Sequence, residues 1–242
     1  MKSKSIPFFL TLAAVLTGNC LALTPITENF DAPKLNETLW SSYSLGKARF
    51  SQSNGKLNFL VPKPPTKNDY INMELQASHP GMYEDWEMIL DLTNALKSGE
   101  GTQASPGFMF ANEQDYRDYL YVNFFGKSGI DAGFYNNLIK SNAKPLTLKA
   151  GVAKGAIKVA YSKITKLMTF SASLSNKEEG YSWVPIGTFA PNGNGSGKNN
   201  VNADWKMDPA AGRFRIQLTG FAISQAVKRG DISIDNFSLQ AP

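Results

Sequence analysis

The sequence predicts an all-β fold, two antiparallel sheets packed as a sandwich, and three observations carry the prediction. First, Ala156–Leu174 (AIKVAYSKITKLMTFSASL) alternates along two arms joined by a short polar turn. Ile157, Val159 and Tyr161 share one face, and Lys158, Ala160 and Ser162 the other. Beyond Ser162–Lys166 the pattern resumes with Met168, Phe170, Ala172 and Leu174. A period of two over both arms buries one face of each strand and wets the other. Second, the rest of the chain repeats apolar, aromatic and β-branched runs punctuated by Gly, Pro, Asn and Ser. Third, no long amphipathic helix and no internal repeat interrupts that rhythm.

Taken in order, the chain opens with Lys2 and Lys4, an apolar run from Ile6 to Leu16, and a small, polar stretch to Ala22. That is the pattern of a secretory leader, and the run is too short to span a bilayer, which takes about 20 apolar residues. Cleavage is expected after Ala22, with Cys20 and Ala22 as the small residues before the cut. A lipoprotein signal retaining an acylated Cys20 is the rival, and Asn19 fits it poorly. Residues 1–22 are thus read as a leader and 23–242 as one sandwich domain, secreted or periplasmic. The mature 220 residues keep a net charge of +3 and no cysteine. Disulfides, thiol nucleophiles and thiolate metal sites are excluded. The basic residues are not clustered as nucleic-acid binding requires, and a lone His79 excludes multi-histidine metal sites.

The strands expected within the domain are Ala48–Ser51, Lys56–Val61, Tyr70–Ala77, Trp86–Asp91, Gly107–Ala111, Leu120–Phe125, Ile130–Asn136, Leu146–Lys149, Ile157–Tyr161, Leu167–Leu174, Trp183–Thr188, Arg213–Thr219 and Asp231–Leu239. Asn54-Gly55 marks a tight turn. Val61–Pro65 must leave the sheet, because proline cannot donate to a ladder. Pro191–Asp204 (PNGNGSGKNNVNAD) is the longest irregular segment, either a disordered insertion or a loop over a binding face, and its lack of aromatics tilts the reading toward a mobile loop.

Glu28–Ser44 (ENFDAPKLNETLWSSYS) followed by Ser53–Pro62 (SNGKLNFLVP) resembles the opening of concanavalin A-like jelly-roll domains. In that superfamily a Phe-Asp pair precedes a Trp and a Gly-Leu strand follows. The central AYSKITKLMTFSASL resembles the hairpin of laminin-G-like and lectin-like members. Gly230–Leu239 (GDISIDNFSL) resembles the last strand, which returns beside the first. The resemblance spans almost the whole mature chain and implies a jelly roll. The superfamily holds lectins, glycanases, polysaccharide lyases and domains that only bind or assemble, so function must be argued from the site.

Retaining glycanases of this architecture carry carboxylates alternating on one strand. The nearest text here is Tyr83–Asp91, where Glu87 and Asp91 sit about 13 Å apart along a strand, beyond the ~5.5 Å of a retaining pair and the ~9.5 Å limit of an inverting one. They read as solvated residues on an outward face. Asp131–Asn137 is similar to the Ala-Gly-x-Tyr strand of jelly-roll alginate lyases, which makes Tyr135 the residue to test. Tyr70–Gln76 is similar to their Arg-x-Glu-Leu-Arg strand with both arginines missing, and their Gln-Ile-His element has no equivalent. His79, before Pro80-Gly81, reads as a structural turn residue. No catalytic residue is assigned.

Aromatics point to binding. Tyr119, Tyr121, Asn123 and Phe125 share one strand face, opposite Leu120, Val122 and Phe124. Flat rings stack on sugars and amides bond hydroxyls, although tyrosines also simply suit a half-buried sheet. Tyr135 and Asn137 extend the same face from a neighbouring strand. The resemblance further implies a structural Ca²⁺, with Glu28 and Asp31 on the first strand and Asp235 on the last as oxygen ligands; the alternative is that Asp31 and Asp235 cap turns. The sequence thus supports an exported, non-catalytic glycan-binding sandwich with a poly- or oligosaccharide partner. A polysaccharide-degrading hydrolase or lyase is the runner-up, and a structural or adhesive domain without a sugar site the third reading.

Overall fold

The computed structural model describes residues 23–65, 68–76, 79–97, 102–136, 139–141, 151–197 and 199–242. The expected leader and the expected strand Leu146–Lys149 lie outside them. In chain order the strands are β1 (Ile26–Glu28), β2 (Trp40–Leu45), β3 (Arg49–Ser53), β4 (Lys56–Leu60), β5 (Asp69–Leu75), β6 (Trp86–Asn94), β7 (Gln103–Asn112), β8 (Tyr119–Phe124), β9 (Ile130–Asn136), β10 (Ile139–Ser141), β11 (Lys154–Ser162), β12 (Leu167–Ser173), β13 (Trp183–Ala190), β14 (Asn200–Asn202), β15 (Phe214–Ile223) and β16 (Ile232–Gln240). One sheet has nine strands in the order β14-β13-β12-β11-β6-β16-β4-β3, with β1 also paired to β16; the other has seven in the order β10-β9-β8-β7-β15-β5-β2. All named strand pairings are antiparallel except β13–β14, which is parallel. This is the predicted two-sheet sandwich.

The alternation that predicts the strands also builds the core. Trp86, Met88, Leu90 and Leu92 of β6, Ile157, Val159 and Tyr161 of β11, and Met168, Phe170 and Ala172 of β12 are all buried. They face Phe108 and Phe110 of β7, Leu120, Val122 and Phe124 of β8, and Phe214, Ile216 and Leu218 of β15, in one continuous apolar cluster. The Trp86 indole lies where the sheets meet. It stacks on Tyr161 of its own sheet (centroids 5.6 Å apart, planes 16°) and meets Phe110 and Phe214 of the opposite sheet at 5.5 and 5.7 Å.

Turn chemistry follows the sequence. Asn54 and Gly55 both adopt left-handed backbone (φ 54° and 65°), the geometry a two-residue hairpin with right-handed twist demands. The β11–β12 turn closes with the Lys166 amide donating to the Ser162 carbonyl at 2.7 Å. Leu174, expected on the buried face, is exposed. The strand ends at Ser173, whose hydroxyl accepts from the Ser175 and Ser182 amides and turns the chain away.

Besides the three-residue β1, three elements escape the period-two reading. β2 is an edge strand with only Trp40 buried, so no alternation marks it. β10 and β14 have only three residues each. The second of these corrects the mobile-loop reading of Pro191–Asp204. Val201 is buried and pairs with Phe189, and Trp205 just beyond packs on Phe189 at 5.0 Å. The Asn192 side chain both donates to the Met207 carbonyl and accepts from its amide, at 2.8 and 2.9 Å. β7 also starts earlier than expected, at Gln103. Pro106 is tolerated because the ladder to β8 stops at Gly107, and beyond it the Phe124 carbonyl accepts instead from Ser105 Oγ and Asn94 Nδ2, both at 3.0 Å.

Candidate functional site

β8 sets the site. With Leu120, Val122 and Phe124 buried in the core, Tyr119, Tyr121 and Asn123 look out of the sandwich, each half-buried. The registers extend this outward face into rows across the strands. Tyr121 stands between Gly133 of β9 and Met109 of β7, and the row continues to Gln217 of β15 and Glu74 of β5. The next row reads Asp131, Asn123, Gly107, Thr219, Asn72 and Tyr43. Neighbouring strands lie about 4.8 Å apart. The row therefore crosses six strands in about 24 Å, and five of them, all but β7 with its Gly107, carry an amide, hydroxyl or carboxylate group.

Two glycines shape this face. A Cβ on Gly107 would sit 2.0 Å from the Val122 carbonyl oxygen and 3.2 Å from Thr219 Oγ1, so the floor between Asn123 and Thr219 carries no side chain. At Gly133 a Cβ would fall 2.5 Å from the Tyr121 hydroxyl, because that ring leans across β9 and rests on the glycine. The carboxylate of Glu74 is held by Arg215, whose Nε donates at 2.9 Å and whose Nη2 also bonds Oε1, and by Gln217 Nε2 at 2.9 Å. It is a strut of the face.

Among the other expected site residues, Tyr135 stands opposite Tyr119 in the β8–β9 register, and Asn137 lies outside the described residues. The two lyase-like stretches are β9 and β5, four strand spacings or about 19 Å apart across the sheet, so they do not form one cluster. The His79 ring bridges Glu113 Oε1 (3.1 Å from Nδ1) and the Leu75 carbonyl (2.8 Å from Nε2), tying down its turn. Glu87 lies 3.5 Å from Lys158.

Asp91, expected to be solvated, is 5% exposed. The loop after β12 folds over it: Tyr181 Oη donates to Oδ1 at 3.0 Å, and the Lys177 amide and Asn236 Nδ2 donate to Oδ2 at 3.2 and 2.9 Å. Burial and the Asp91 carboxylate push the Tyr181 hydroxyl well above the usual tyrosine range, so it stays a donor.

The strands expected to carry the calcium ligands pair, β1 against β16, and each of the three acids has a partner within the chain. Glu28 Oε1 accepts the Phe30 amide at 2.9 Å, Asp31 is bonded by the Asn29 side chain, and Asp235 Oδ1 accepts the Asn236 amide at 2.7 Å. Among the described residues no three His, Cys, Asp or Glu side chains are placed to hold a metal ion. Burial pushes the Asp235 carboxyl up to about 6, with Asp91 and Asp31 adding repulsion and the Asn236 amide and Lys56 opposing.

A carboxyl whose folded pKa exceeds its unfolded value of about 3.9 binds its proton more tightly when folded. Its contribution is full below about pH 4 and is lost as pH rises through about 6. Asp235→Asn, which keeps the acceptor for Asn236, is therefore expected to be more stable than the parent at pH 7.5. The gap should close by pH 4, read as urea midpoints; a constant offset at every pH would contradict the assignment.

No family model matches the sequence, and neither does any curated protein. Solved structures do match. Lectin II from Ulex europaeus superimposes with a TM-score of 0.55 at 14% identity, covering 90% of this chain and 97% of the lectin. The fold is that of the concanavalin A-like lectins. Two further matches to the lectin fold are the carbohydrate recognition domain of Emp46p (TM-score 0.56, 9% identity, 91% and 95% coverage) and the exoplasmic/lumenal domain of VIP36 in its Ca²⁺/Man3GlcNAc-bound form (0.51, 11%, 90% and 88%). At these identities the likeness is one of fold, and it agrees with the resemblance drawn from the sequence. Sequence reasoning put Tyr119, Tyr121 and Asn123 on an outward strand face, where the structure has them, but gave no sign of Thr219 and Asn72, which share the Asn123 row. Their partners in the row come from strands distant in the chain, and no local signal marks them.

Proposed function

We propose that this chain is an exported, non-catalytic glycan-binding module that holds a stretch of oligo- or polysaccharide against the outward face of the seven-stranded sheet. The observation that carries the reading is the pair of rows centred on Tyr121 and Asn123. An aromatic ring leans on one glycine beside a second glycine flanked by amide and hydroxyl groups. Sugars need that combination, an apolar ring for the C–H face and fixed hydrogen-bonding groups for the hydroxyls. The lectin fold supports it, and one similar structure is a lectin complexed with galactose. The secretory pattern of residues 1–22 supports export. A non-catalytic role is favoured because Glu74 is held by Arg215 and Gln217.

A glycan array with the mature protein tests the reading. Tyr121→Ala is expected to lower affinity for the best ligand about tenfold, in line with the 1–3 kcal/mol of a good stacking contact. Gly133→Ala should weaken binding too, because the new methyl displaces the Tyr121 ring, while backbone pairing and urea midpoint stay near the parent. EDTA should leave binding unchanged. Binding that survives both substitutions, or a folded protein that retains no glycan, would end the proposal.

A further inference from the structure

A second concavity lies on the opposite side of the molecule, on the outer face of the nine-stranded sheet. Its volume is about 460 Å³, within the usual range of small-molecule sites. Its walls are β1 and the β16 bulge, its base includes Ile89 of β6, and the loop after β12 contributes Lys177 and Tyr181.

The walls are fixed from below. Buried Asp91 holds the Tyr181 hydroxyl, the Asn236 amide group and the Lys177 backbone, and Lys177 Nζ donates in turn to Asn236 Oδ1 at 3.4 Å. Between Asp235 and Ser238 the β16–β6 register slips, and Asn236 takes a left-handed φ of 47°. A bulge of this kind re-aims a side chain, and such strain gathers where chains bind ligands. Here it turns the Asn236 amide into the cavity wall. Tyr181 is backed by Trp183, rings 4.7 Å apart and tilted by 33°, and Lys158 lies over that indole at 5.0 Å.

The lining chemistry selects a ligand. Lys177 and Glu28 cancel in charge, so neither an anion nor a cation is favoured overall. What remains is an amide pair (Asn29, Asn236), hydroxyls (Thr27, Ser238) and an aromatic ring beside an aliphatic side chain. We infer that this cavity is a second binding site, for a neutral pyranose unit, which would make the module bivalent with one sugar contact on each sheet. The inference rests on the glycan reading for its class of ligand, but on different residues.

The test uses the mature protein labelled with 5-fluorotryptophan. Trp40, Trp86 and Trp205 are buried and Trp183 is half-exposed beside the cavity, so the ¹⁹F resonance lost in Trp183→Phe reports this site. Titration with galactose, glucose, mannose, fucose and N-acetylglucosamine is expected to shift that resonance saturably for at least one sugar. The shift should persist in Tyr121→Ala. It should vanish in Asn236→Gly, which keeps the left-handed backbone and deletes the amide, and in Ser238→Phe, which fills the cavity. If the Trp183 signal stays still while the array finds a ligand lost in Tyr121→Ala, the second site is refuted and the first stands. If the signal moves equally in Asn236→Gly and Ser238→Phe, the cavity is not the site. If no sugar binds anywhere, both readings fall.

Discussion

Trp86→Ala is expected to destabilise the protein by about 3–5 kcal/mol, the usual cost of emptying a large aromatic from a packed core. The indole is fully buried and touches rings from both sheets: Tyr161 beside it, Phe110 and Phe214 across the interface. Removing it leaves a void bounded by three aromatics, themselves linked edge-on where Tyr161 meets Phe214 at 5.5 Å. Rings in strands paired on both sides cannot collapse inward without dragging backbone. A fall in urea midpoint with an unchanged m-value, and loss of near-UV circular dichroism, is the expected result. Trp86→Phe should cost less than half as much, because Trp86 Nε1 has no hydrogen-bond partner to lose. A loss under 1 kcal/mol for the alanine variant would mean that the sheets do not meet at this ring.

The second large effect concerns Asp91. Asp91→Ala is expected to cost about 2–3 kcal/mol, because three donors now satisfied by a carboxylate would be left without it. The effect should also be local: the Ser175–Ser182 segment loses its anchor, and acrylamide quenching of Trp183 should rise while the buried tryptophans stay protected. Tyr181→Phe removes one donor and should cost about 1 kcal/mol. Because burial is the main cause that raises the Asp235 carboxyl and Asp91 adds only a smaller repulsion, Asp91→Ala should reduce the pH dependence expected of Asp235 only slightly. An Asp91→Ala protein with unaltered Trp183 quenching would show that the segment is held by other contacts.

Asp91 also marks where legibility in the sequence ends. Alternation in Trp86–Asn94 says which side chains leave the core, and Glu87, Ile89 and Asp91 do leave it. It cannot say what covers them, and Asp91 is covered by Lys177 and Tyr181, which the chain brings back after six more strands. The β11–β12 hairpin, by contrast, was readable up to Ser173, with only Leu174 misplaced, since both arms bury one face against a local partner. Tyr119, Tyr121 and Asn123 were legible for the same reason. Their companions Thr219, Asn72 and Gly107 were not, because a row across a sheet is a property of strand order. Trp40–Leu45 shows the remaining gap: an edge strand wet on both faces carries no period, and only its pairing with β5 reveals it.

The position of β16 carries a consequence for how the molecule is made. Ile234 pairs with Leu92 on one side and Leu57 on the other, and Leu239 pairs with Met88 and with Ile26. The strand synthesised after the fifteen others is thus the one that joins β6 to β4 and β1 in the middle of the larger sheet. Until it emerges, β1 has no partner and the β3–β4 hairpin has no strand joining it to β6. Ordering must wait for contacts of the longest sequence separation, which makes folding slow and late. A chain whose larger sheet waits for its sixteenth strand leaves unpaired strand edges open to competing contacts for longer.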